Sequence, residues 1–267
     1  MGKDAGIGQD RFMLSAYLIL GFLTLYMAML IGSLLTHTDL PTIMGTLLSA
    51  EVLYALKLSL FTASVSTALC IAVAIPAAYI LSRSDFRGKA FVDSLLDLPI
   101  VVPPVALGAM LLLFFSTSLG KGIEAGTLAL MFERPGIVVA QFTVITGLAL
   151  RLLKNTFDLI DPGFEDLART LGYTRFQAFA HVTLPLAQRG IFASIVLVWA
   201  RAFGEYGATI TFAGATTMKT ETLPVAIYLN LATANVAATI SIVLILIAVG
   251  FGVLACLRLV GKEARTL

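Results

Sequence analysis

Two opposite charges lie inside an apolar stretch of the chain, WARAFGEYGATITFAG. Arg201 and Glu205 are four residues apart, so on a helix they occupy one face. A guanidinium is a planar fork of donors that suits a tetrahedral dianion, and the nearby carboxylate would lower the positive charge enough for the anion to leave again. We therefore expect Arg201, Glu205 and Thr209 to line a translocation pathway for an oxyanion. The alternative is a structural pair that neutralises itself between helices.

A second charged stretch, EDLARTLGYTRFQAFAHVTLPL, predicts two short helices joined at a glycine. Asp161 followed by Pro162 is typical of a helix start, and Gly172 is typical of a helix end. Thr174 can cap the second helix, which we expect to end at Pro185 because proline lacks the amide hydrogen that a helix needs.

Apolar side chains recur at helical spacing along this second stretch. We expect Phe164, Leu167, Phe176 and Phe179 to form a compact apolar knob ringed by charge. A knob of this kind suits a groove in a soluble partner protein. The alternative is a loop that lies on the lipid headgroups.

The composition favours a bilayer around these two sites. Hydrophobic residues make up 58% of the 267 residues, charged residues only 13%, and the mean hydropathy is +0.95. A soluble domain carries about 25% charged residues, which it needs to cover its surface. The chain is therefore predicted to be a membrane protein.

Six stretches are long and apolar enough to cross a bilayer, which takes about 20 residues for a helix. They are residues 12–35, 58–82, 98–119, 136–150, 190–213 and 235–257. Because a lone chain must satisfy its backbone within each span, these stretches predict helices. The prolines of DLPIVVPP at the start of the third span predict a kinked or interrupted helix end. We expect an all-α polytopic membrane protein, with residues 1–267 forming a single domain.

The basic residues predict how the chain is oriented. Only four Lys or Arg residues lie on one side of the six predicted spans: Lys57, Lys121, Arg134 and Lys219. Most of the others lie on the opposite side, together with both termini and residues 161–185. Since cytoplasmic loops carry the excess of Lys and Arg, we expect a multi-pass protein of the cell membrane with both termini in the cytoplasm.

Several kinds of chemistry are absent from the sequence. It has no G-x-x-x-x-G-K-[ST] motif for binding ATP, and His37 and His181 have no ligand-like neighbours. Cys70 and Cys256 lie in separate apolar stretches, and the net charge of +2 is too small to favour nucleic acid. We expect no metal, no cofactor and no enzymatic activity, so energy for any transport must come from a partner.

The second charged stretch resembles the cytoplasmic signature of ABC importer permeases, E-A-A, three residues, G, nine residues, I-x-L-P. Residues 166–168 hold the E-A-A positions as Asp-Leu-Ala, Gly172 follows after three residues, and 182–185 are Val-Thr-Leu-Pro after nine more. The glycine and the Leu-Pro match, and the other positions keep their character. This resemblance implies an ABC importer permease fold in which residues 161–185 form the coupling segment, seated in a groove of an ATP-binding subunit.

Two further stretches, LDLPIVVPPVALG and TLPVAIY, together with the stretch around Arg201, look like molybdate or tungstate importer permeases. The resemblance implies two permease copies, two ATPase subunits and an extracytoplasmic oxyanion-binding protein. A sulfate or thiosulfate importer is the alternative within the class, and a secondary transporter or channel working alone, or a membrane scaffold, lies outside it. The residues that this resemblance implies in coupling to the ATPase are Phe164, Glu165, Asp166, Leu167, Ala168, Gly172, Phe176, Leu184 and Pro185.

Overall fold

The computed structural model describes residues 3–37, 39–126 and 128–263, with 3–12, 254 and 256–263 described by their backbone alone. Cys256 therefore lies outside the described side chains. Over these ranges the regular structure is helical. The helices are α1 (Lys3–Thr36), α2 (Leu40–Leu47), α3 (Ala50–Arg83), α4 (Lys89–Val101), α5 (Pro104–Ser116), α6 (Ser118–Gly126), α7 (Arg134–Asp158), α8 (Gly163–Thr170), α9 (Arg175–Ala178), α10 (Leu184–Phe203), α11 (Gly207–Phe212), α12 (Leu223–Ala232) and α13 (Val236–Glu263).

The predicted number of spans is confirmed. Five helical stretches of the described chain are long and apolar enough to cross a membrane, and a bent pair, α4 with α5, makes a sixth. The five are Met13–Thr36, Ala50–Arg83, Arg134–Asp158, Arg175–Phe203 and Val236–Val253.

The third predicted span is not one straight helix. Its two halves, α4 and α5, are bent by 112° relative to each other. The break is at Val102 and Pro103, whose backbones are extended. Consecutive prolines at 103 and 104 explain the break, because each lacks an amide hydrogen and disfavours a helical conformation in the residue before it. The interruption expected from DLPIVVPP is confirmed, but it divides the span rather than ending it.

Two other predicted spans have different ends. The fourth runs through Asp158 instead of stopping at residue 150, and Arg151 within it ion-pairs with Asp97 of α4. The fifth stops at Phe203 instead of running to residue 213, and α11 follows after a break at 204–206. Glu205 therefore lies in the break, and the prediction that it shares a helix face with Arg201 is wrong, although the two side chains do meet.

The core forms where α3, α7 and α10 pack together. Alanines of α3 and α7, such as Ala63, Ala74 and Ala149, are buried there. Small residues let membrane helices approach closely, which yields dispersion contacts that lipid cannot replace. The carboxyl ends of α3 and α7 lie beside α8, and we call this the α8 end. At the other end, the Lys219 end, Tyr54 Oη donates to the carbonyl of Lys219.

Candidate functional site

Helix α8 begins at Gly163, one residue later than the sequence predicts, and closes at the predicted glycine. Asp161 Oδ1 accepts a hydrogen bond of 2.8 Å from the amide of Gly163 in the first turn. At the other end Gly172 has φ +96°, and the amide of Tyr173 bonds back to Ala168 O at 3.2 Å. This left-handed residue is the usual way to close a helix, and glycine adopts it without the steric cost that a Cβ brings.

Helix α9 is capped as predicted but does not end at Pro185. Thr174 and Gln177 form a capping box, each side chain accepting from the backbone amide of the other. A π turn, Phe179–Thr183, follows directly and joins α9 to α10, so Pro185 lies in the first turn of α10 and is exposed, while Leu184 is half-buried. Pro185 thus lies within a continuous helical stretch, directly after the π turn, and its missing amide does not end the helix.

The apolar side chains of α8 point away from the protein. Phe164 is 53% exposed, Leu167 61% and Leu171 74%, and their spacing places them on one face. The adjoining side of the helix carries Glu165 and Ala168, whose side chains are nearly buried. Helix α8 thus shows the reverse of an ordinary surface helix, with its apolar face outward and an acid inward.

The predicted apolar knob loses one of its four members. Phe176 is 76% exposed, in keeping with the prediction. Phe179 instead turns inward, where its ring lies 4.5 Å from that of Tyr79 and 6.3 Å from that of Phe157. The π turn begins at Phe179 and rotates it toward α3 and α7, which the period of a regular α-helix cannot predict.

Glu165 fastens the inner face of α8 to the rest of the protein. Its Oε1 accepts from Arg83 Nε at 2.9 Å and from Thr183 Oγ1 at 2.7 Å, and its Oε2 accepts from Tyr79 Oη at 2.6 Å. Burial raises the pKa of Glu165, but the hydrogen bonds from Tyr79, Thr183 and Arg83 and the charge of Arg83 outweigh it and hold the pKa below its usual value. Arg83 also donates through Nη2 to Ile160 O at 2.8 Å.

The neighbouring acid, Asp166, has the opposite environment. Its side chain is 73% exposed and lies 3.6 Å from the guanidinium of Arg169. An exposed pair at this distance contributes little to stability, so Asp166 is free to meet a partner. The two adjacent acids therefore differ in environment, which their positions in the sequence did not predict.

Sequence reasoning missed Tyr79, Arg83 and Thr183 as partners of Glu165. Tyr79 and Arg83 belong to the end of α3, more than 80 residues away in the chain, as their separations from Glu165 of 86 and 82 residues show. No local pattern marks them, since a basic residue at the end of a membrane span is ordinary. Only the packing of α8 against α3 brings them together.

Arg201 and Glu205 form the ion pair that their types suggest. Arg201 Nη1 donates to Glu205 Oε2 at 2.6 Å, and Glu205 Oε1 accepts from the amide of Ala208 at 2.9 Å. The carboxylate is 1% exposed and the guanidinium 38%. Within the part of the chain that the structure describes, the remaining donors of Arg201 make no hydrogen bond. The guanidinium can therefore bind an anion at its open side.

Thr209 does not share that open side. It is fully buried in α11, and its hydroxyl is one of the buried side-chain oxygens without a hydrogen-bond partner among the described residues. The cause is the tight packing of α11 on α5, where a Cβ added to Gly108 would come within 2.8 Å of Ala208 O and of Thr211 Cβ. Of the three predicted pathway residues, the structure brings Arg201 and Glu205 together and places Thr209 behind them.

Known proteins similar to this chain are transport proteins. The probable molybdenum ABC transporter permease protein of Haloferax volcanii is 34% identical over 247 residues, which cover 92% of this chain and 89% of that protein. The molybdenum transport system permease protein of Mycobacterium tuberculosis is 34% identical over 244 residues, 90% of each chain. The molybdate/tungstate transport system permease protein of Pyrococcus abyssi is 32% identical over 260 residues, 96% of this chain and 99% of that protein.

The fold is shared with a solved transporter. A chain in the crystal structure of a bacterial alginate ABC transporter, in complex with an alginate pentasaccharide-bound periplasmic protein, matches with a TM-score of 0.75 at 18% identity, covering 94% of this chain and 93% of that one. This likeness confirms the expected importer permease fold. Residues 71–266 match the family described as the binding-protein-dependent transport system inner membrane component. With that match over most of its length, and with several apolar spans, the chain belongs to this family of multi-pass membrane transport proteins.

Proposed function

We propose that this chain is the membrane-spanning subunit of an importer for molybdate or tungstate, driven by a separate ATP-hydrolysing subunit. Two copies form the pathway, bind two ATPase subunits and receive the oxyanion from an extracytoplasmic binding protein; the chain itself is not an enzyme. The observation that carries the proposal is the reversed helix α8, whose apolar face is exposed. An apolar face surrounded by charge calls for a protein partner.

Two connections support α8 as the coupling helix. The first runs along the chain, because α9, the π turn and α10 form one continuous helical stretch from Arg175 to Phe203. The second is the set of hydrogen bonds from Tyr79, Arg83 and Thr183 to Glu165. A push on α8 by an ATPase would therefore move α3 and α10 together, and Arg201 lies in the last turn of α10.

The open guanidinium of Arg201 supports an anionic substrate. Its free donors suit the oxygens of a tetrahedral dianion, and its pairing with Glu205 leaves the site weakly charged. The names of the relatives point to molybdate and tungstate among such dianions. A weak site is what a pathway needs when a binding protein selects the substrate.

Uptake by the reconstituted complex tests this function. The chain, its cognate ATPase and binding protein would be placed in proteoliposomes, and uptake of labelled molybdate, tungstate and sulfate measured with and without ATP. We expect molybdate and tungstate to enter only with ATP and the binding protein. Preferential uptake of sulfate would favour the sulfate importer instead, and uptake without an ATPase would favour a secondary transporter.

A substitution on the exposed face tests the docking role of α8. Leu167→Glu places a charge on the apolar face and should abolish co-purification with the ATPase while the chain still inserts. Leu159→Glu is the matched control, since Leu159 is an 88% exposed leucine near the same end but outside α8. If Leu167→Glu retains the ATPase, the face lies on lipid headgroups and the coupling assignment is wrong.

The orientation can be tested with single cysteines. A cysteine at Ser84, beside the α8 end, should react with membrane-impermeant thiol reagents only from the cytoplasm. One at Thr217, in the loop at the Lys219 end, should react only from outside, since cytoplasmic loops carry the excess of Lys and Arg. Labelling of both from one side would contradict the proposed topology and its cytoplasmic termini.

A further inference from the structure

One buried glutamine joins three helices beside the Arg201–Glu205 pair. Gln141 of α7 is 1% exposed. Its Nε2 donates to Ala202 O of α10 at 3.1 Å, and its Oε1 accepts from Ser66 Oγ of α3 at 3.1 Å. Nothing in the sequence motifs singled out Gln141, and no step of the proposed transport cycle has used it so far.

The carbonyl of Ala202 is where this contact meets the pair. It accepts a second hydrogen bond, of 3.1 Å, from the amide of Glu205, at the point where α10 ends. Ala202 also adjoins Arg201 in the chain. The side chain of Gln141 therefore binds the carbonyl that closes the last turn of α10 and sets the direction in which Glu205 leaves the helix.

A buried amide is a specific choice at this position. An apolar interior penalises each amide donor or acceptor that lacks a partner, and an apolar side chain of similar size would avoid that risk. Gln141 is kept from this penalty by bonding one neighbouring helix through its oxygen and another through its nitrogen. The arrangement fixes α3 and α10 relative to each other at one height in the bundle.

We infer that Gln141 is a positioning residue for the Arg201–Glu205 pair, an inference that rests on the proposed role of this pair in oxyanion transport. By holding Ala202 O, it fixes the end of α10 so that Arg201 keeps its donors open while Glu205 stays buried. Ser66 extends the contact to α3, the helix that also carries Tyr79 and Arg83. Tyr79 and Arg83 bind Glu165, and they lie about 20 Å farther along α3 than Ser66, at a helical rise of 1.5 Å per residue.

Trp199 makes the inference testable without transport. It is the one tryptophan of the chain, lies two residues before Arg201, donates to Ser64 Oγ at 3.1 Å and stacks on Phe203 at 5.1 Å. Its fluorescence therefore reports on the last turns of α10. The full chain would be studied in lipid vesicles without partner subunits, so that no other tryptophan contributes.

The decisive variant is Gln141→Met, which keeps the length of the side chain and removes both hydrogen bonds. We expect a shifted Trp199 emission and increased quenching by acrylamide. The matched control is Ser59→Ala on α3. Like Gln141, Ser59 is buried and bonds another helix, since it accepts a hydrogen bond of 2.8 Å from the amide of Leu223. This control should lower thermal stability without changing Trp199.

A merely structural role would lower stability in both variants and leave Trp199 unchanged. Unchanged emission and quenching in a folded Gln141→Met variant would therefore overturn the inference. If Gln141→Met does not insert, Ser66→Ala removes one of the two bonds and must produce a smaller change of the same sign. An unchanged Trp199 in Ser66→Ala would then overturn it.

Transport assays separate this inference from the proposed function. In the complete complex, Gln141→Met should lower ATP-driven oxyanion uptake about tenfold, the effect of losing about one hydrogen bond's free energy, while assembly is kept. Normal uptake by Arg201→Ala would refute the proposed pathway, whatever Gln141→Met does. Normal uptake by Gln141→Met in a complex that needs Arg201 would refute the positioning role alone.

Discussion

Two arginine–glutamate pairs lie at different heights of the same helical bundle and differ in the burial of their members. In the pair at the α8 end, Arg83 and Glu165 are 2.9 Å apart and both nearly buried, with side chains 11% and 12% exposed. In the second pair, which lies at the height of Ser66 in the middle of α3, Arg201 and Glu205 are 2.6 Å apart, but the glutamate side chain is 1% exposed and the arginine side chain 38%.

The first pair is a closed network. Glu165 receives three side-chain donors, and all three guanidinium nitrogens of Arg83 donate, the other two to Ile160 O and to Ser82 Oγ. Each guanidinium nitrogen of Arg83 is therefore already engaged within the protein. This network is suited to holding two elements together, so we assign it to the mechanical link between α8 and α3.

The second pair is open on one side. Glu205 is satisfied by Arg201 and by an amide, whereas the guanidinium keeps donors that no described residue occupies. We therefore expect the open pair, and not the closed pair, to bind an anion. The experiments below test this contrast, beginning with the largest expected effect.

Removing the acid of the closed pair should cost the most stability. Glu165→Ala leaves the buried guanidinium of Arg83 without its counter-charge and should lower the free energy of unfolding by about 3 kcal/mol. Denaturation of the purified chain in detergent measures this. The control is Asp166→Ala, next in the chain but 73% exposed, which should cost well under about 1 kcal/mol. Equal losses would show that the network at Glu165 is not the link we describe.

Removing the cation of the open pair should affect transport more than assembly. Arg201→Ala deletes the donors that face the anion and should lower uptake about tenfold or more, the scale of one hydrogen bond to a charged group. Adding Glu205→Gln should restore stability, because it removes the unpaired buried acid, without restoring uptake. Normal transport by the double variant would make this pair as purely structural as the closed one.

The turn beside the closed pair should govern coupling. Gly172→Leu has space, since no atom lies within 4 Å of an added Cβ, but φ +96° imposes a strain of about 1–2 kcal/mol. We expect normal insertion and ATP hydrolysis with little uptake per ATP. Gly172→Asn, which tolerates left-handed φ better, should keep most of the coupling. Normal uptake per ATP in Gly172→Leu would separate this turn from the coupling role.

Of the changes considered, lowering the pH should have the smallest effect, a loss of stability through the closed pair. The pKa of Glu165 in the folded chain lies below its ordinary value of 4.5, so its stabilisation is complete above that value and is lost as the pH falls through the folded pKa. Melting temperatures measured between about pH 7 and about pH 3 should show this acid-side loss in the native chain. The loss should be smaller in Glu165→Gln, which carries no titrating group there; identical profiles would exclude Glu165 as its source.

Local sequence signals predicted the turns of residues 161–185 well. Asp161, Gly172 and Thr174 each act on backbone groups within a few residues, so their types and spacing suffice to place two helix starts and one helix end. The same logic failed at Pro185. We expected the missing amide of this proline to end the helix. Instead, the helix passes through the π turn into α10, and Pro185 lies in the first turn of α10.

The sequence by itself determined the number of spans, the helical class and the charges within the fifth apolar stretch. It could do so because hydropathy and the need for backbone hydrogen bonds act along each segment separately. The tertiary structure alone decided that Glu165 faces inward while Asp166 faces outward, and that Gln141 lies beside the end of α10. These outcomes depend on which helices pack together. Contacts between residues more than 60 positions apart, such as Gln141 with Ala202, leave no periodic signal in a single sequence.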